Sequence, residues 1–174
     1  MCRPQRICRV AIALIFCLRV LNVDAAQFSL EGAVSYMDSY GALAAFGQVV
    51  FAPHFIGGSQ FSLAPNILGG WVGGRHVERY EAAHPNTRDS IGLLGAGARL
   101  QYGQPYAWYR PIFFSFDPLL HDGRTQALST DYEFAFTLGW QARHWVIGIR
   151  HISDGNFRSR SNRGENMVLV GVTL

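Results

Sequence analysis

Along most of this chain apolar and polar positions alternate one for one, in runs of about ten residues separated by turn-forming stretches. The clearest run is 130–141. Tyr132, Phe134, Phe136, Leu138 and Trp140 fall on one face, and Asp131, Glu133, Ala135, Thr137, Gly139 and Gln141 on the other. Successive side chains of a strand point to opposite faces, so a period of two predicts strands. Eight are expected, at about 28–37, 43–52, 61–76, 90–102, 106–116, 130–141, 144–153 and 165–174. Each is the length a tilted strand needs to cross a bilayer. After the first residues no stretch holds the ~18 consecutive apolar residues of a membrane-spanning helix.

The runs have further detail. In 130–141 the apolar face carries an aromatic at each end, as in the interfacial girdles of membrane barrels, and the opposite face is small or polar, as a narrow interior requires. Run 106–116 repeats this with Tyr106, Trp108, Ile112, Phe114 and Phe116, Arg110 being the exception. Run 61–76 holds Pro65 and four glycines, which predicts a bend or bulge. The pattern as a whole predicts an all-β protein, an eight-stranded antiparallel transmembrane β-barrel. Connections are tight at 101–105 and 141–144 but long and polar at 77–89, 117–129 and 154–164. Membrane barrels have short periplasmic turns and longer outer loops, so 154–164 is expected on the cell-surface side and both termini on the other.

Composition adds an export signal. Residues 1–25 begin with Arg3, Arg6 and Arg9, continue into a mostly apolar segment broken by Arg19, and end Val23-Asp24-Ala25. This reads as a secretory signal peptide, cleaved after Ala25 or Ala26, with 26–174 as the mature barrel. Cys2, Cys8 and Cys17 all fall inside it, leaving no cysteine for a disulfide framework. Phe16 is too large for lipoprotein processing at Cys17. The leader carries four arginines and one aspartate, so 15 basic against 12 acidic residues becomes 11 against 11. The basic balance therefore belongs to the leader and does not point to nucleic acid.

The candidate chemistry lies at 145–166. Trp145, Ile147, Ile149, His151 and Ser153 share one face, while Val146, Gly148 and Arg150 suit a barrel interior. A polar loop follows and Glu165 opens the next strand. If the two runs form a hairpin, Glu165 returns beside His151 and Ser153, giving nucleophile, base and orienting acid. The alternative is that these are only polar residues where a strand meets a loop. His54, His76, His84, His121 and His144 are scattered without metal-ligand spacing, so neither a metal nor a cofactor is expected.

His151-x-Ser153, then Gly155, Asn162-x-Gly164 and Glu165 before a terminal strand, resembles the active-site end of PagL-type lipid A 3-O-deacylases, small outer-membrane β-barrel esterases. The resemblance covers only 150–166. It implies a serine esterase with Ser153, His151 and Glu165 as catalytic residues. It also implies that Asp154 and Gly155, directly after the serine, supply or position oxyanion donors, and that Asn162 braces the loop. The family usually has asparagine where this chain has Asp154, which moves the donor role to the backbone at Gly155.

A site on the outward face opens into lipid, so its expected substrate is lipid A of lipopolysaccharide in the outer leaflet. Arg158, Arg160 and Arg163 are candidate phosphate contacts beside it. The expected partners are lipopolysaccharide, the surrounding outer-membrane lipid and, as one open arrangement, a second copy in a homodimer. Two other readings stay open: a non-enzymatic small barrel with structural or adhesive loops, and a lipid A acyltransferase.

Overall fold

The computed structural model describes residues 26–37, 40–76, 78, 87–155 and 164–174. The expected signal peptide lies outside them. The strands are β1 (Gln27–Met37), β2 (Tyr40–Val50), β3 (His54–Phe55), β4 (Phe61–Gly73), β5 (Ser90–Tyr102), β6 (Ile112–His121), β7 (Tyr132–Gln141), β8 (Trp145–Ser153) and β9 (Glu165–Thr173). Each long strand pairs antiparallel with its neighbours, β9 with β1 and β2 with β4, so the sheet closes on itself. The two-residue β3 pairs with Ser62 and Leu63 of β4 and continues the line of β2. The result is a closed eight-stranded antiparallel barrel, as the alternation predicts.

Closure leaves no unpaired edge, which is the condition for strands to cross a bilayer. The two surfaces then divide by chemistry. Outside, Leu30, Val34, Leu43, Leu94, Ile149, Val168 and Val170 are all exposed. Aromatics band both rims: Tyr36, Tyr40 and Tyr132 at one, and Phe61, Tyr102 and Trp145 at the other, where Trp140 and Trp145 pack with ring centroids 4.8 Å apart. An apolar surface of this extent is a lipid-facing one.

Inside, side chains fill the lumen. Arg150 donates to Glu31 (2.9 Å) and to Thr137 (2.9 Å), with its guanidinium 4.4 Å over the Phe46 ring. Arg99 lies 3.8 Å over Phe113 and donates to Gln48 and Gln141. The loop between β6 and β7 folds into one mouth, burying Thr125, Gln126, Ala127 and Leu128.

Two expectations change. The run at 106–116 is not one strand. Pro105 and Pro111 frame a turn whose amides bond three residues back, Ala107 to Gln104, Arg110 to Ala107 and Ile112 to Tyr109. Tyr106 and Trp108, 89% and 84% exposed, sit on this turn rather than on a lipid-facing strand, and β6 runs on to His121. Asp117 consequently belongs to β6 and faces the lumen instead of opening a loop. β4, expected to bend, pairs with β5 residue for residue from Phe61 to Gly73, with Pro65 opposite Ala98.

Candidate active site

β8 and β9 form a hairpin in which Ile147, Ile149 and His151 oppose Val170, Val168 and Asn166. Strand alternation turns His151, Ser153 and Asn166 to the outside and Arg150, Ile152, Glu165 and Met167 to the lumen. His151 and Ser153 continue the face of Ile147 and Ile149. His151 Nε2 stands 3.0 Å from Ser153 Oγ, and Nδ1 stands 2.9 Å from Asn166 Oδ1. An amide oxygen can only accept, which places the ring proton on Nδ1 and leaves Nε2 to accept the serine hydroxyl. This is the geometry that activates a hydroxyl as a nucleophile.

Glu165 is not the third member of this line. It opposes Ile152 across the hairpin, is fully buried in the lumen, and is held by Arg75 and the Ser35 hydroxyl. The expectation fails on parity: the next residue, Asn166, faces His151, and a shift of one residue exchanges the two faces. Eleven residues separate Ser153 from Glu165 and lie between two strands, so spacing alone does not fix the face.

The turns on both sides of the site rest on glycine. Gly155 has φ 73° and Gly164 φ 70°, the left-handed region that other residues enter with strain. A Cβ on Gly164 would lie 3.1 Å from His151 Cε1, 3.2 Å from Ser153 Cβ and 2.8 Å from the Ile152 oxygen. Gly164 therefore walls the dyad, a role the sequence motif did not reveal. Its amide donates to the Ala127 carbonyl, 3.0 Å away, tying the hairpin to the loop in the barrel mouth. Asp154 is buried at the end of β8. Asn162, Arg158, Arg160 and Arg163 lie outside the described residues. On the same rim Arg88 pairs with Asp122, and Arg124 beside Asp131 hydrogen-bonds its carboxyl and holds it below the usual carboxylate range.

An apolar groove of about 360 Å³ runs down the outside of the barrel from this site. His151, Asn166 and Phe136 form its top row; Phe114, Leu138, Ile149 and Val168 form the row below. Phe136 packs 5.0 Å from Phe116 and 6.3 Å from Phe114 between ring centroids. Among the described residues no three His, Cys, Asp or Glu side chains gather where they could hold a metal.

No protein-family model matches the chain, and no curated protein matches it. Among solved structures it is similar to that of Ail, the attachment invasion locus protein of Yersinia pestis, in complex with the heparin analogue sucrose octasulfate. The two share 9% identity with a TM-score of 0.36, over 86% of this chain and 97% of that one.

Proposed function

We propose that this protein is an outer-membrane serine esterase that removes an ester-linked acyl chain from a membrane lipid, with lipid A and its 3-O-acyl chain as the substrate. The observation that carries the reading is the hydrogen-bonded line Asn166–His151–Ser153 on the lipid-facing surface, directly above an apolar groove. A soluble substrate has no route to such a face except through lipid, whereas an acyl chain in the bilayer already lies alongside it.

In this mechanism Ser153 Oγ attacks the ester carbonyl as its proton passes to His151 Nε2. The tetrahedral intermediate collapses, the carbon–alkoxy bond breaks, and the sugar oxygen takes the proton from Nε2. Water, deprotonated by the same nitrogen, then attacks the acyl-serine; the bond from the acyl carbon to Ser153 Oγ breaks, Oγ takes the proton back from Nε2, and the fatty acid leaves. Asn166 holds the imidazole in the required tautomer, as the asparagine of Cys-His-Asn proteases does. The groove supplies apolar contact for the chain, each buried methylene being worth about 0.8 kcal/mol.

The test is mass spectrometry of lipid A from cells expressing the wild type or Ser153→Ala. The wild type should yield lipid A lighter by one 3-hydroxyacyl chain, and the variant should fold and leave lipid A intact. Identical lipid A from both would favour the non-enzymatic barrel with structural or adhesive loops. A gain in mass would identify an acyltransferase.

A further inference from the structure

Beneath the site, on the luminal wall, a compact polar cluster ties the start of β9 to four other parts of the barrel. Arg75, just past β4, pairs with Glu165 through both terminal nitrogens, Nη2 lying 2.8 Å from Oε2. The same Nη2 donates to Ser35 Oγ of β1 (3.1 Å), and Arg75 Nε donates to the Tyr40 carbonyl at the start of β2 (2.9 Å). The Arg75 amide donates to Gln126 Oε1 of the loop in the mouth (2.8 Å). Arg75 and Glu165 are both almost completely buried.

Glu165 and Asn166 are the first two residues of β9, directly after a connection of eleven residues. Backbone pairing with β8 and β1 and the Gly164–Ala127 bond hold the chain here, and the cluster adds a side-chain anchor on the luminal side. Register decides the chemistry: Asn166 meets His151 only when Glu165 faces inward. Buried ion pairs add little net stability, and their best-attested use is to specify register. An inward Glu165 is received by Arg75, just past β4, and by Ser35 of β1, while the Tyr40 carbonyl holds the Arg75 guanidinium; an outward one would leave Arg75 buried without its carboxylate.

We infer that Arg75 and Glu165 are positioning residues of the esterase site: their buried pair locks the first residues of β9 so that the Asn166 amide meets His151 Nδ1. Glu165 thereby acts on the imidazole from the opposite side of the barrel wall. The inference rests on the proposed hydrolytic role only for its effect on rate, not for its effect on the ring.

The experiment uses the full mature barrel refolded in detergent micelles. Ring nitrogen NMR of His151 reports the tautomer, and turnover of a diacylated glucosamine phosphate reports rate. The wild type should show one tautomer with the proton on Nδ1. Arg75→Gln and Glu165→Gln, each leaving a buried charge unmatched, should mix the tautomers and lower kcat by about tenfold with KM unchanged. The double variant Arg75→Gln/Glu165→Gln, neutral on both sides, should restore the tautomer and bring kcat back to within about threefold of the wild type. Asn166→Ala should lose the tautomer with the pair intact. The inference is overturned if both single variants leave the tautomer unchanged, or if Asn166→Ala does. It is equally overturned if the double variant stays as impaired as Glu165→Gln, which would make Glu165 a direct partner of His151. Should the wild type hydrolyse nothing, the esterase reading fails, while the ring spectra still decide the positioning role.

Discussion

His151 and Asn166 face each other across the β8–β9 pair, with Nδ1 2.9 Å from Oδ1, while the residue before Asn166 points into the barrel. The orienting group of this site is an amide, and the Glu165 carboxylate is spent on the fold. The consequence for mutants is a graded one. Ser153→Ala and His151→Ala should reduce kcat/KM by roughly 10⁴-fold or more, because neither nucleophile nor base has a substitute. Asn166→Ala should cost less, roughly 10²-fold, since it frees the ring without removing it. Asn166→Asp keeps an acceptor on Nδ1 and should stay within about tenfold of the wild type. Steady-state kinetics on one micellar ester substrate checks all four.

Gly164 should tolerate no side chain. Gly164→Ala combines a left-handed φ, which costs about 1–3 kcal/mol in a residue other than glycine, with a methyl pressed against the His151 ring and Ser153. The barrel should still form, judged by its heat-dependent shift on gels, because the rest of the sheet is untouched. Hydrolysis should fall by about tenfold or more. Full activity in this variant would show that the wall beside the dyad yields freely.

The groove makes a prediction about chain length. Ile149→Trp fills it below His151 without touching the dyad's hydrogen bonds. KM for an ester with a long acyl chain should rise, and turnover of a short acetyl ester should stay at the wild-type level. Equal effects on both substrates would place the acyl chain elsewhere.

Deep in the lumen, Glu31→Leu should be a stability variant and not a chemical one. It leaves the Arg150 guanidinium buried without its carboxylate, a loss of about 3–5 kcal/mol when one partner of a buried pair is removed. Urea unfolding of the barrel in lipid vesicles should show a lower midpoint. The His151–Ser153 face should keep its activity at low denaturant.

The alternation of residues decided much of this protein unaided. Period two over β7 and β8 is a local property of the chain, and one buried and one lipid-facing surface leave only one way to orient these two strands. That is why the outward placement of His151 and Ser153 and the inward placement of Glu133, Thr137 and Arg150 follow from the sequence alone. Where alternation ran through prolines it misled. Pro105 and Pro111 turn 103–111 into a tight non-strand connection, although Tyr106 and Trp108 keep the parity of a strand.

What only the tertiary structure decided is which residue after the 154–164 connection meets His151. A loop carries no parity across it, so the sequence leaves Glu165 and Asn166 equally eligible, and a motif spacing favours the carboxylate. The choice is made from the far side of the wall, where Arg75, Ser35 and Tyr40 come together from three separate stretches of chain to receive the Glu165 carboxylate or hold its partner. Those contacts exist only once the barrel has closed, and by drawing Glu165 inward they turn Asn166 out to the histidine.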